Sequence, residues 1–254
     1  LKIRLHQFLS RSGHFKSKGD AKQAVWDGKV TVGGKIVKDI SYEFNPKRRE
    51  VKIGVTTLEL PNQYRYFILN KPEGVICSRM NKHELFLGKE SVFNIFSGDL
   101  DSRTYDSLVT VGRLDEGTTG LLIVTNDGGL VNEVANPSSN IGKKYELKVA
   151  SRITSGDIES LQEGIEIQNS DNEDFGSYLT APADVTAISD YNIEITIFEG
   201  KKRQIRRMLE KLGNRVLSLN RIAIGKLELY DYSLNPGQYM EVTRDEIMSK
   251  ITAN

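Results

Sequence analysis

The segment VGRLDEGTTGLLIVTNDG, Val111 to Gly128, constrains the fold more than any other part of the chain. A charged turn, Arg113-Leu114-Asp115, stands directly before a fully apolar strand, Leu121 to Val124. The strand runs into Asn126 and Asp127, either of which can cap a following helix. Asp115 is then fixed by the strand behind it and partly enclosed, an unusual position for a carboxylate. The same chain carries KKRQIRRML, Lys201 to Leu209, a strongly basic helix start. An enclosed aspartate together with a basic helix points to acid, base or nucleophilic chemistry on a nucleic acid.

The rest of the composition narrows the setting. The chain has 254 residues, 38% hydrophobic and 27% charged, enough for one large domain or for a small one joined to a larger one. No run approaches the ~20 apolar residues of a membrane span. The opening LKIRLHQFLS is amphipathic and predicts no secretory leader. A lone cysteine, Cys77, excludes an intrachain disulfide and a cysteine-rich zinc site, and fits a reducing cytoplasm. Charge is unevenly spread. Residues 1–50 hold twelve Lys/Arg and five Asp/Glu, a net +7, which leaves −6 for the remainder against the total of +1. That asymmetry fits a nucleic-acid-binding module attached to a catalytic body.

In IRLHQFLSRSG, Ile3, Leu5, Phe8 and Leu9 share one helical face, and Gly13 ends the helix. In SKGDAKQAVWDGKV a second helix turns Ala21, Ala24 and Val25 inward and stops near Gly28. Val30 to Val32, the Gly33-Gly34 turn and Lys35 to Val37 read as a hairpin. Arg11, Lys16, Lys18, Lys22, Lys29 and Lys35 fall near the helix ends and the turn, where they can face one polyanion. Trp26 reads as a core residue. His6 and His14 are too isolated for a metal site and read as surface or RNA-facing. The stretch from Asn45 to Asn62, with Pro46, a short Val51 to Ile53 strand and Pro61, reads as the last strand of a small domain followed by a linker. The domains are then residues 1–60 and 61–254.

Strands dominate the second part: YRYFILN, NKPEGVICS, GLLIVTNDG, KKYELKVA, YNIEITIFEG and NRVLSLNRIAIGKLEL, with a helix in KRQIRRMLEKLG that ends at Gly213. Strands and helices do not alternate regularly, so the fold class is α+β, a mixed and largely antiparallel sheet. No glycine-rich phosphate loop is present.

Residues 3 to about 48 resemble the small RNA-binding domain shared with ribosomal protein S-four, with Lys16-Ser17-Lys18 where that family often has Ser-Arg-Arg. Four further segments, in order, resemble the pseudouridine synthases that modify ribosomal RNA, in the branch that carries such a domain at its N-terminus. They are YFILNKPEGVICS, GRLDEGTTGLLIVTNDG, GKKYELKV and EGKKRQIRRMLEKLGNRVLSLNRIAIG. One departure is Asn136-Pro137, where a His-Pro pair is common in the family.

The resemblance implies a mixed antiparallel sheet crossed by a cleft, no metal or organic cofactor, and ribosomal RNA or an assembling ribosomal subunit as partner; a cytoplasmic monomer is expected. It implies that Asp115 is the essential aspartate, that Tyr145 stacks on the target base, and that Arg206 pairs with the aspartate. Arg113 and Leu114 match the rest of the catalytic loop, and Lys71 matches the lysine of the opening motif, supporting the loop or touching phosphate. Lys202, Arg203, Gln204 and Arg207 complete an RNA-contacting set with Arg11, Lys16, Lys18 and Lys22.

Singly, these residues have ordinary readings: Asp115 as a turn residue, Tyr145 as a sheet aromatic, Arg206 as one more phosphate contact. Jointly they favour uridine isomerisation over a non-catalytic RNA-binding or ribosome-assembly factor, and over an aspartate-dependent RNA hydrolase. The carboxylate can attack the base, attack the sugar, or remove a ribose proton, and an adjacent arginine favours its ionised form.

Overall fold

The computed structural model describes residues 2–15, 17–61, 63–168 and 176–252. Lys16 and Asn62, both named above, lie outside the described residues.

The first part forms around two helices, α1 (Leu5–Arg11) and α2 (Lys18–Trp26). Ser17 caps α2 by accepting from the Asp20 amide at 3.1 Å, which satisfies one of the helix's free donors. Ile3 does not extend α1. It pairs with Phe44 in a short antiparallel ladder, while its side chain still joins Leu5, Phe8, Leu9, Ala21 and Val25 in one core. Strands β1 (Val30–Val32) and β2 (Lys35–Ile36) meet at Gly33 and Gly34, both at positive φ, the conformation a two-residue hairpin loop requires. With β3 (Val51–Ile53) and β4 (Thr56–Leu58) they form an antiparallel sheet in the order β2-β1-β3-β4.

Trp26 corrects the sequence reading. It ends α2 outside the core, 54% exposed, with the Lys22 ammonium over its ring. The inward face of α2 is filled by Ala21 and Val25, and Trp26 follows Val25 by about 100° around the helix, which turns it away from them.

The second part is built on one nine-stranded sheet. In its main path the order is β8 (Asp184–Ser189), β9 (Asn192–Ile197), β7 (Lys143–Val149), β10 (Val216–Ile224), β6 (Thr119–Thr125), β5 (Tyr66–Lys71) and β11 (Tyr239–Val242). Within this path only β6 and β10 run parallel. The segment NKPEGVICS gives a strand of only two residues, Val75–Ile76, paired with Glu90–Ser91.

Leu121 to Val124 is apolar throughout because both faces of β6 are covered. Leu122 and Val124 lie in a core with Phe67 and Leu69 of β5 and with Met208 and Leu209 of α5 (Gln204–Lys211). Leu121 and Ile123 lie in a second core with Leu130 and Val134 of α3 (Gly128–Ala135), and with Ile247 and Ile251 of α6 (Arg244–Ile251). A further helix, α4 (Ser155–Glu163), places Leu161 in the first core. Of the two candidate caps for α3, Asp127 takes the role and accepts from the Gly129 amide at 2.9 Å. Asn126 instead accepts from the Arg65 amide at 2.8 Å and donates to the Gln63 carbonyl at 3.1 Å, which ties the start of β5 to the end of β6.

Gly120 sets how closely β6 can approach β10. It has φ +101°, and a Cβ there would stand 2.3 Å from the Arg221 carbonyl oxygen and 2.4 Å from Asn220 Oδ1. The parallel register Gly120↔Arg221 therefore depends on the missing side chain. It brings the turn that carries Asp115 beside the first half of β10, where Leu217 and Leu219 line the same cavities as Asp115.

Candidate active site

The Asp115 turn is held from two sides. Behind it, Lys71 at the end of β5 is fully buried and donates to the carbonyls of Pro72 at 2.9 Å, Glu116 at 3.2 Å and Thr118 at 2.8 Å. Burial pulls its ammonium below the usual lysine range, while Cys77, Glu116, Asp115 and Glu73 act in the opposite sense. In front, Arg206 of α5 donates to the Gly117 carbonyl at 2.8 Å and to the Val216 carbonyl at 3.3 Å. The Thr118 amide donates to the Asp115 carbonyl at 3.0 Å, and the Gly74 amide to Glu116 at 2.9 Å. Every backbone carbonyl from Asp115 to Thr118 thus has a donor. The Leu114 amide donates to Sγ of Cys77 at 3.4 Å, and burial pushes that thiol up. An ion pair from Lys89 to Glu116 closes the outer side of the turn.

Half-buried Asp115 stands where two cavities adjoin. The larger, about 670 Å³, is polar and lined by Glu73, Asp115, Glu116, Gly117, Lys202, Arg203, Arg206 and Leu217. The other, about 430 Å³, contains Asp115, Arg206 and Tyr145 among its lining residues, with Leu114, Ile197 and Leu219 as apolar walls. Three separate chain segments therefore converge: the turn before β6, the face of β7, and the start of α5. Apolar walls beside a carboxylate and an aromatic side chain suit a flat, weakly polar ring that has left its stack. Cations line the open side, where a phosphate backbone can lie.

Arg203 precedes α5 at φ +54°, a left-handed conformation that costs a non-glycine residue on the order of 1 kcal/mol. That turn sets Lys202 and Arg203 on the rim of both cavities.

The structure changes several expected roles. Arg206 shares the Asp115 cavity, but its guanidinium bonds the backbone of the Asp115 turn; no Asp115–Arg206 ion pair forms among the described residues. Its part is to hold the carboxylate's backbone in place. Lys71 cannot touch phosphate, because its ammonium is buried and engaged with three carbonyls. Arg207 is buried on another side of α5 and donates to the Gln168 carbonyl at 3.3 Å, since adjacent helical residues diverge by about 100°. Gln204 is also buried and holds the turn before α5, donating to Glu199 at 2.6 Å and accepting from the Lys201 amide at 3.1 Å.

Arg11 turns toward the second part of the chain. Its guanidinium lies 5.1 Å from the centre of the Tyr64 ring and donates to the Tyr64 hydroxyl. Lys18, Lys22, Arg113, Lys202 and Arg203 are exposed, as an RNA-facing role requires. His6 and His14 are exposed as well. Leu217 and Leu219 were not singled out from the sequence, although their two-residue spacing in NRVLSLNRIAIG puts them on one strand face. Glu73 was also missed; nothing in NKPEGVICS distinguishes it from a turn residue. Among the described residues no group of three His, Cys, Asp or Glu is gathered in a way that could hold a metal ion.

Comparison with known proteins bears on this geometry. Residues 65–211 match the profile of RNA pseudouridylate synthase, and residues 3–49 match the S4 domain. The chain is 33% identical over 256 residues to ribosomal small subunit pseudouridine synthase A of Vibrio cholerae, covering 97% of this chain and 99% of that protein. It is 32% identical over 257 residues to the RNA pseudouridine synthase YtzG of Bacillus subtilis, covering 96% and 97%. A crystal structure of a pseudouridylate synthase matches it with a TM-score of 0.67 at 30% identity, covering 98% of this chain and all of that one. The catalytic-family profile spans more than half of the chain and these relatives align along almost all of it, so the chain belongs to the RNA pseudouridine synthases, in the branch that joins an S4 domain to the catalytic one.

Proposed function

We propose that this enzyme converts a uridine of small-subunit ribosomal RNA to pseudouridine, with Asp115 as the reacting carboxylate, acting as a cytoplasmic monomer. The observation that carries the chemistry is that Asp115, Tyr145 and Arg206, from three distant segments, line one cavity. The choice of RNA rests on relatives such as that of Vibrio cholerae, named for the ribosomal small subunit.

The reaction breaks the bond from ribose C1′ to uracil N1, turns the base, and forms a bond from C1′ to C5; the hydrogen on C5 leaves as a proton and N1 takes one up, so atoms and charge balance. Asp115 acts on the flipped nucleotide as nucleophile or base. Tyr145 and the apolar walls hold the ring while it is free of the sugar. Arg206 and Lys71 keep the carboxylate at a fixed place, so that little reorganisation is needed in the transition state. Arg113, Lys202 and Arg203 bind flanking phosphates, and the S4 domain supplies further attraction.

The test is tritium release from RNA labelled at uracil C5, with small-subunit ribosomal RNA, large-subunit ribosomal RNA and transfer RNA offered separately. Release from the small-subunit RNA alone, matched by loss of one mapped pseudouridine in cells that lack the protein, is the expected result. Release from large-subunit or transfer RNA alone would move the substrate, and binding without release would leave an RNA-binding factor.

A further inference from the structure

Trp26 is the one tryptophan of the chain, and it stands in water on a helix whose inward residues are well buried. Lys22, one turn earlier, places its ammonium 4.9 Å from the centre of the ring. The i, i+4 spacing brings the two together, and the cation restricts where the indole can swing. Two residues beyond Trp26, the chain passes close to the strand edge at β2. A Cβ on Gly28 would meet Lys38 at 3.2 Å and Ile36 at 3.4 Å, and Ile36 is itself 64% exposed. The nearby acid, Asp27, is paired with Lys29 at 3.0 Å. The end of α2 therefore offers a flat π surface, an exposed aliphatic side chain and two ammonium groups.

The lysines around the indole favour a polyanion over a protein partner: tryptophan is common where proteins bind one another, but lysine is depleted there. Surfaces for single-stranded nucleic acid combine aromatic faces with cations along the backbone track. We propose that Trp26 and Lys22 form a nucleotide subsite: the indole stacks on an unpaired base of the RNA, and Lys22 takes the phosphate beside it. The base must be unpaired, since a paired base in a helix has both faces covered by its neighbours. The proposal rests on the reading of this chain as acting on RNA. It adds to phosphate attraction a contact made with a base, so the S4 domain selects RNA with an open strand at a set distance from the target uridine.

The single tryptophan makes the test direct, because emission excited at wavelengths that the ten tyrosines do not absorb is that of Trp26 alone. A short oligouridylate is expected to quench it saturably, whereas inorganic polyphosphate binds and displaces the RNA without quenching. Trp26→Ala is expected to weaken oligouridylate binding roughly five- to hundredfold with the salt slope unchanged. Trp26→Phe should lose less. Lys22→Ala should keep the quenching and reduce the salt slope by about one.

Trp26 is exposed, so an unchanged melting curve is expected for each variant, and the quenching experiment needs no variant. Emission that RNA leaves unmoved, quenching by polyphosphate equal to that by RNA, or Trp26→Ala affinity within twofold of the parent would each overturn the subsite. Quenching is read equally in Asp115→Asn, so a failure of isomerisation is distinguishable from a failure of the subsite.

Discussion

At the scale of single residues, the site separates chemistry from support. Asp115→Asn keeps the shape of the side chain but removes the carboxylate proposed as nucleophile or base. Turnover measured by tritium release should vanish while RNA affinity changes less than about twofold, and substantial turnover in this variant would remove Asp115 from the mechanism. Lys71 tests the supporting role. Lys71→Met leaves the carbonyls of Pro72, Glu116 and Thr118 without their buried donor. The expected cost is about 3 kcal/mol of stability, read by denaturant titration, with kcat falling further than KM rises. Arg206→Ala should slow turnover by roughly a hundredfold through displacement of the Asp115 turn, and Arg206→Lys should recover only part, because one ammonium cannot span the Gly117 and Val216 carbonyls as a planar fork does. Full activity in Arg206→Ala would show that the turn needs no outer clamp.

At the scale of elements, the approach of β6 to β10 is the sensitive point. Gly120→Ala would drive a methyl group into the Arg221 and Asn220 backbone and side chain, and would also force a disfavoured φ. A loss of at least about 3 kcal/mol, or failure to fold, is expected by thermal melting; an unchanged melting temperature would mean that the strands can part without cost. The elements themselves were largely legible. The alternation of Tyr145, Leu147 and Val149 marked β7, and the basic run up to Gly213 marked α5, because local periodicity is written in adjacent residues. Phase and partnership were less so. That Arg207 and Gln204 turn inward while Arg206 faces the cavity depends on what packs around α5. That Lys71 is buried depends on a turn nearly fifty residues further along the chain. Trp26 failed as a core residue for the same reason: an aromatic in a helical pattern does not state which neighbours have already filled the inside.

At the scale of the whole molecule, the two parts meet through particular contacts among the described residues. Arg11 lies against Tyr64, Gly13 lies against the backbone of Asp106, and Arg103 pairs with Glu59 at 2.8 Å. Their cores are separate. Removal of residues 1 to about 60 should therefore leave a folded catalytic body with weaker RNA binding. The slope of log affinity against log salt should flatten, since the +7 segment is lost. An unchanged slope and affinity would deny the small domain its RNA role, and loss of folding would show that the parts share more than these contacts.

The clamped turn has a consequence for timing. A frame whose backbone carbonyls are all engaged does not mould itself to its partner, so the RNA is the body that must yield. Opening a uridine from a closed helix costs a few kcal/mol, and one already in a loop or bulge costs far less. Two RNAs that differ only in whether the target uridine is paired should react at rates that differ by roughly ten- to hundredfold under single-turnover conditions; equal rates would mean that the protein, too, gives way. A rigid die of this kind acts while its workpiece is still soft, and a uridine becomes a poorer substrate once the helix around it has closed.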